Sequence, residues 1–220
     1  MLGVNILLAA IPSVIILRIF YKQDRNRSEP KGLLLHCFFL GFLSLLPALV
    51  IEFGLIFFER QLSGILIITF RAFIVAGLVE EGAKLFVVKS FIYHRVEFNE
   101  MTDGIVFTIA ASLGFAFFEN LFYSFGPPSV LIIRGLTAVP LHAISAGILG
   151  YYIGYAKFTA SFHMRKGLFL AVLVHGFYDF FLFLGPAFSF LVFPLLIFSG
   201  FWLKALWQKA IHADKEAERV

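Results

Sequence analysis

The sequence predicts an all-α polytopic integral membrane protein, with about seven transmembrane helices and a polar site inside the membrane. Of its 220 residues, 60% are hydrophobic and 15% are charged, and the mean hydropathy is +0.90. A soluble domain usually has about 45–50% apolar and about 25% charged residues. This chain carries more apolar side chain than one core of its size can bury. With its single cysteine, this composition excludes a soluble enzyme, a disordered tail and a disulfide scaffold.

Seven apolar runs separated by polar loops define the candidate helices. They cover residues 2–21, 33–58, 65–90, 104–124, 130–157, 167–184 and 187–207. The first run has no positively charged segment before it, so we interpret it as a retained span and not as a removed signal peptide. Gly and Pro residues at 126–129 and 185–187 predict tight turns between spans. No repeat or second domain is visible, and residues 1–220 are expected to form one membrane-embedded domain.

The basic residues predict the orientation of the chain. Alternate loops carry thirteen Lys and Arg residues on one side and one, Arg60, on the other. The thirteen are Lys22, Arg25, Arg27, Lys31, Lys89, Arg95, Lys157, Arg165, Lys166, Lys204, Lys209, Lys215 and Arg219. Because basic residues concentrate in cytoplasmic loops, we predict the N-terminus outside and the C-terminus in the cytoplasm. This placement also accounts for the net charge of +4 without a nucleic-acid partner.

Several ionisable residues lie inside the predicted spans. Four are carboxylates away from the span ends: Glu80, Glu81, Glu119 and Asp179. The others are basic or imidazole groups: Arg71, Lys84, Arg134, His142 and His175. An acidic residue at mid-helix costs about 2.5–3.5 kcal/mol on insertion scales, so these acids are expected to be protonated, paired or hydrated. An ionisable group within a membrane marks a functional site by default.

Helix geometry predicts that these groups meet. At about 1.5 Å per residue, four helices place acids or imidazoles toward the middle of a hydrocarbon core about 30 Å thick. Lys84 lies four residues after Glu80 and three after Glu81, so its ammonium can reach either carboxylate. The adjacent glutamates point about 100° apart. We therefore expect one to face a cavity and the other to hold Lys84 or Arg71.

A purely structural interpretation competes with a catalytic one. The Glu80, Glu81 and Lys84 group can be a buried ion pair that holds helices together, and an intramembrane histidine can be a hydrogen-bonding strut. Arg71 and Arg134 balance the acids most simply, whereas Glu52 has no evident partner. The full set of embedded acids and imidazoles at matching depths favours a site.

At these residues the sequence resembles the PrsW family of intramembrane proteases, which is similar to the CAAX prenyl endopeptidases and bacteriocin-immunity proteins. The matching elements are EEGAK at 80–84, DGIVFTIAASLGFAFFENLFY at 103–123, His142, and HGFYD at 175–179. The resemblance covers about residues 30 to 185. An EExxK motif alone would be weak evidence for this resemblance, but the four elements in this order are specific.

The resemblance implies an endopeptidase of the bacterial plasma membrane. Its implied substrate is a membrane-anchored, single-span anti-sigma factor, cut first near the outer face of the bilayer. Glu80 or Glu81 would be the base, and His175 with Asp179 would activate water or polarise the carbonyl. The implied catalytic set also includes His142 and Glu119, with Lys84 and Arg134 balancing charge. This sequence has Glu119 and Asp179 where the prenyl endopeptidases have His and Asn, which leaves the division of roles open.

Two questions of chemistry and function stay open. A glutamate–histidine water mechanism is preferred, but Glu80, His142 and His175 also form a possible zinc set with one open position. The HExxH signature of zinc peptidases is absent. The alternatives to a protease are a proton- or cation-coupled transporter, which also places acids at the midplane, and a non-catalytic scaffold or immunity-type protein.

Overall fold

The computed structural model describes residues 2–23, 30–159 and 162–219, and this part of the chain is helical without strands. We number nine helices: α1 (Leu2–Gln23), α2 (Lys31–Glu59), α3 (65–92), α4 (Met101–Tyr123), α5 (Pro128–Leu136), α6 (Ala138–Phe158), α7 (His163–Phe183), α8 (Pro186–Ser189) and α9 (Val192–Ala217). Two short helices, α5 and α8, directly precede long ones.

The helices confirm a polytopic, all-α membrane protein with about seven spans. Six segments of the described chain are long and apolar enough to cross a membrane. They are Leu2–Gln23, Lys31–Glu59, Met101–Tyr123, Pro128–Phe158, His163–Phe183 and Pro186–Ala217. Helix α3 supplies the seventh, although its α-helical geometry is interrupted by π-helical stretches at Arg71–Leu78 and Val88–Ile92. The orientation of the termini stays a prediction, and Arg25 and Arg27 of the first basic loop lie outside the described residues.

The predicted fifth span, 130–157, is two helices in the structure. Thr137 separates α5 from α6 with φ −126° and ψ −62°, which is not helical geometry. Pro140 explains the break, because it lacks the amide hydrogen that would bond to the carbonyl of Leu136 in a continuous helix. The hydroxyl of Thr137 donates a hydrogen bond to the carbonyl oxygen of Ile133 at 2.8 Å, which gives one carbonyl near the break a side-chain donor.

The last helix, α9, continues ten residues beyond the predicted end at residue 207. Its polar extension is held by Asp214, which accepts hydrogen bonds from the backbone amides of Met101 at 2.6 Å and Thr102 at 3.0 Å. These amides belong to the first turn of α4, which has no partner within its own helix. A carboxylate is favoured at a helix N-terminus, so this contact ties the end of the chain to the central helix.

Helix α4 is the centre of the fold. All of its residues from Met101 to Ala116 are buried. It packs against α6 at glycines: a Cβ on Gly104 would overlap the backbone of Gly150 and Gly154. It packs equally tightly against α2, where a Cβ on Gly114 would overlap the backbone of Phe38. Glycine lets helix backbones approach closely within a membrane. This packing holds α2 and α6 closely against α4.

We expect a Gly104→Ala substitution to destabilise the protein, by about 1–3 kcal/mol if the helices can shift apart and by more if they cannot. The matched control is Gly54→Ala in α2, where an added Cβ meets no atom within 4 Å. Since alanine is the better helix former, the control should be neutral or slightly stabilising. Thermal unfolding of both variants in detergent measures the difference. Equal melting temperatures for the two variants would contradict the packing described here.

Candidate active site

A π-helical stretch in α3 positions the paired glutamates. Residues Arg71–Leu78 adopt π-helical geometry directly before the α-helical turns Val79–Val87, which carry Glu80 and Glu81. A π turn inserts an extra residue and rotates everything that follows around the helix axis, and such turns are frequent at functional sites. At Gly77 the added Cβ would lie 3.3 Å from the carbonyl oxygen of Val172 on α7. The glutamates therefore follow a point where α3 and α7 nearly touch.

Glu81 is the structural centre of the site. Its side chain is fully buried, and Oε1 lies 2.7 Å from Lys84 Nζ, 3.0 Å from Ser145 Oγ and 2.8 Å from His175 Nδ1. All three groups donate to the one oxygen. These donors come from α3, α6 and α7, so a single carboxylate oxygen joins three helices. Lys84 is also completely buried, and its charge is matched by that of Glu81.

Glu80 presents a carboxylate oxygen that has no hydrogen-bond partner. Its Oε2 is buried and unpaired. Three nitrogens surround it: Lys84 Nζ at 3.8 Å, His142 Nδ1 at 3.9 Å and His175 Nε2 at 3.8 Å. Each distance is too long for a direct hydrogen bond. The arrangement leaves a gap between a carboxylate and two imidazoles that can admit a small polar group.

Three carboxylates orient the two imidazole rings. His142 lies with Nδ1 3.0 Å from Lys84 Nζ and with Nε2 3.0 Å from Glu119 Oε2. Because an ammonium only donates, Nδ1 is the acceptor and the ring proton on Nε2 is donated to Glu119. His175 faces carboxylate oxygens at both nitrogens, Glu81 at Nδ1 and Asp179 at Nε2, 3.3 Å away. Carboxylates only accept, so both nitrogens of His175 act as donors.

Arg134 completes the site and Arg71 does not join it. Arg134 Nη2 lies 2.7 Å from Glu119 Oε1, and its Nε donates to Asn120 Oδ1 at 2.6 Å. It is therefore the ion-pair partner of Glu119, and the charge-balancing role expected from the sequence stays a prediction. Arg71 instead pairs with Glu59 near the end of α2, and its side chain is 56% exposed. The expectation that Arg71 balances the embedded acids is wrong, because its guanidinium is engaged by Glu59.

The structure brings together the eight residues that the sequence proposed for the site. They are Glu80, Glu81, Lys84, Glu119, Arg134, His142, His175 and Asp179. Sequence reasoning missed Ser145 and Asn120, because neither is charged. A signal was available for both: Ser145 lies one helical turn after His142, and Asn120 follows Glu119 directly.

A cavity of about 410 Å³ leads to Glu80. It is lined by Leu45, Leu49, Glu52, Phe53, Glu80, Glu119, Phe122 and Tyr123. Phe53, Phe122 and Tyr123 are exposed, so the cavity opens to the protein surface between α2 and α4. Its mouth is near the ends of these helices at Glu59 and Tyr123, the side that the charge distribution predicts to be outside. A polar group can thus reach Glu80 from that half of the membrane.

The residues around Glu80 resemble a metal site in part. One ligand atom each from Glu80, His142 and His175 lies within 4.8 Å of the other two. Two imidazoles and one carboxylate are a common ligand set of catalytic zinc. His142 Nδ1, however, already accepts a hydrogen bond from Lys84, and a metal ligand needs that lone pair. The donor types therefore fit zinc, but His142 Nδ1 is engaged by an ammonium, and His175 donates to carboxylates from both nitrogens.

The chain is similar to proteins described as PrsW proteases. A family model described as "PrsW family intramembrane metalloprotease" matches residues 29–204. Protease PrsW of Geobacillus kaustophilus is 33% identical over 94% of this chain and 89% of its own length. Protease PrsW of Bacillus subtilis is 32% identical over 95% of this chain and 93% of its own length. Protease PrsW of Oceanobacillus iheyensis is 35% identical over 93% of this chain and 94% of its own length. No solved structure gives a significant match.

Proposed function

This chain belongs to the PrsW family and is an intramembrane protease of a bacterial membrane, and we propose that Glu80 is the base that activates water for peptide hydrolysis. The unpaired oxygen of Glu80, facing two imidazoles at the end of an open cavity, is the observation that carries this assignment. Because the chain belongs to a family of proteases, the transporter and scaffold alternatives are not retained. The proposed substrate is a single-span anti-sigma factor, as the sequence resemblance implies.

The first step is attack of water on the scissile carbonyl. A water molecule in the gap beside Glu80 Oε2 gives its proton to that oxygen, while its own oxygen bonds to the carbonyl carbon. A positioned carboxylate base of this kind contributes about 10²–10⁴-fold to the rate. Lys84 and Glu81 form a fixed ion pair behind this position, so Glu80 is the carboxylate of the pair of glutamates that remains available.

The second task is to stabilise the negative charge that develops on the carbonyl oxygen. His175 Nε2 carries the proton that it shares with Asp179 at 3.3 Å, so when substrate binds this N–H can turn from Asp179 to the developing oxyanion. Glu81 and Asp179 hold this ring in place at its two nitrogens. When the tetrahedral intermediate collapses, the C–N bond breaks and the proton on Glu80 passes to the leaving amine. Prearranged donors of this kind are often the largest contribution to catalysis.

A zinc ion, if the protein takes one, would be held by Glu80, His142 and His175. Bound zinc lowers the pKa of its water and polarises a carbonyl. The hydrogen bond from Lys84 to His142 Nδ1 supports the metal-free arrangement instead, because the ammonium already supplies a positive charge at that nitrogen. Glu119 supports the same arrangement by accepting the proton on the other nitrogen of His142.

We expect a strong chelator to leave cleavage unchanged within twofold. The purified protein in detergent is incubated with 1,10-phenanthroline or EDTA and then mixed with a membrane-anchored reporter, and the initial rate of cleavage is measured. A zinc peptidase of known chelator sensitivity is the control for the treatment. Loss of cleavage that added zinc restores would overturn the metal-free mechanism and assign Glu80, His142 and His175 as ligands.

The substrate class is tested by co-expression. Single-span anti-sigma factors are expressed with the wild-type protein or with Glu80→Gln, and the fragments are identified by mass spectrometry. We expect a cut on the outer side of the substrate's span with the wild type alone. Cleavage only of other membrane proteins would contradict the proposed substrate and leave the protease assignment intact.

A further inference from the structure

Glu52 is a carboxylate in the cavity wall for which the mechanism has no use. It lies on α2 and is half-buried, and its Oε1 is buried without a hydrogen-bond partner. Besides Glu80, the cavity has one more carboxylate in its wall, that of Glu119, and this carboxylate forms an ion pair with Arg134. No Lys or Arg of the described chain lies within ion-pair distance of Glu52. Glu52 lies within a candidate membrane span, where an unpaired carboxylate is costly.

The shape of the cavity indicates what could pair with Glu52. Its volume of about 410 Å³ has room for a long side chain together with some main chain. Apolar and aromatic side chains form most of the wall, with Phe53 and Phe122 at the mouth. Lys and Arg side chains place an aliphatic stem along apolar surface and a charged head on a polar group. Aromatic faces add a favourable cation–π contact.

We propose that Glu52 selects substrates that carry a Lys or Arg side chain beside the scissile bond. Glu52 and Glu80 line one cavity, so a peptide whose carbonyl reaches Glu80 also passes Glu52. The substrate cation then supplies the charge that Glu52 lacks within the protein. This inference rests on the proposed function of Glu80, and it makes Glu52 a specificity residue that does not take part in the bond-breaking step.

The test is a comparison of matched substrates. In a reporter that the wild type cleaves, each of the three residues on either side of the cleaved bond is replaced in turn by Lys, Met or Glu. At one or more positions, we expect the wild type to cleave the Lys reporter about tenfold faster in kcat/KM than the Met reporter, the lower end for a close charge pair. Glu52→Gln should reduce this ratio below twofold, and Glu52→Lys should favour the Glu reporter.

A matched control is available in Glu97. This residue is also half-buried with an unpartnered carboxylate oxygen, but it lies in the loop between α3 and α4 and outside the cavity. Glu97→Gln should keep the tenfold preference. Glu52→Asp retains the charge, so it should keep part of the preference for the Lys reporter. It is also the variant to compare if Glu52→Gln is poorly folded. An unchanged preference in Glu52→Gln, or no preference in the wild type, would overturn the proposal.

Binding separates this proposal from the catalytic one. The Glu80→Gln protein is titrated with uncleaved Lys and Met reporter segments in detergent, and the two dissociation constants are compared. We expect about tenfold tighter binding of the Lys segment, abolished by adding Glu52→Gln. Equal dissociation constants would contradict the role of Glu52, whereas full cleavage by Glu80→Gln would contradict only the role of Glu80.

Discussion

A Glu80→Gln variant is expected to cleave a membrane-anchored reporter about 10³-fold more slowly than the wild type, since an amide cannot accept the proton of the attacking water. The substitution keeps the size of the side chain and removes only its basicity. The rate is measured as initial cleavage in detergent at saturating reporter, so that it reflects kcat. A slow rate with unchanged KM is the result expected for a group that acts in the transition state.

Stability provides the control for this variant. Glu80 Oε2 has no hydrogen bond to lose, and its distance to Lys84 is 3.8 Å. The melting temperature of Glu80→Gln should therefore equal or exceed that of the wild type. Cleavage above one-tenth of the wild-type rate in the folded variant would exclude Glu80 as the base and direct attention to Asp179.

Lys84→Met is expected to lower the free energy of unfolding by about 3–5 kcal/mol, because it leaves the buried carboxylate of Glu81 without its counter-charge. Lys84 is 0% exposed, and its Nζ lies 2.7 Å from Glu81 Oε1. The measurement is equilibrium unfolding in mixed micelles. Cleavage should also fall, since His142 and His175 both depend on this ion pair for their orientation.

A second variant and a control distinguish this effect from a general loss of charge. The double variant Lys84→Met/Glu81→Gln removes both charges and should recover much of the stability, although cleavage should stay low because His175 loses the carboxylate at its Nδ1. Arg71→Met breaks the half-exposed pair with Glu59 and should cost less than about 1 kcal/mol. If Lys84→Met were no more destabilising than Arg71→Met, the central role of Glu81 would be wrong.

The membrane topology of this protein follows from local properties of the chain. Apolar composition over about 20 residues is enough to identify a span, because lipid solvates each side chain separately. Six of the seven predicted runs correspond to helical segments that meet the length and composition of a span, and the seventh is α3. The helix boundaries depend on more than composition: Pro140 divides one run, and Asp214 extends another through a contact with α4.

The residues of the site were also visible in the sequence, but their pairing was not. Spacing alone predicted that one glutamate of the pair would face a cavity and the other would hold Lys84 or Arg71. It did not decide which, since the π stretch Arg71–Leu78 changes which face of the following turns meets the neighbouring helices. In the structure Glu81 faces Ser145 and His175 on those helices and also holds Lys84, whereas Arg71 pairs with Glu59.

Uncharged partners and unpaired groups could be assigned only from packed helices. Ser145 and Asn120 carry no charge that would make them conspicuous in an apolar run, and Glu52 becomes informative only when its neighbours are known to leave it unpaired. Composition and helical rise depend on the chain alone, so they predicted the membrane spans and the matching positions of the embedded charges along them. Hydrogen-bond partners depend on how helices rotate and approach one another, and that was decided by contacts between distant residues such as Gly104 and Gly150.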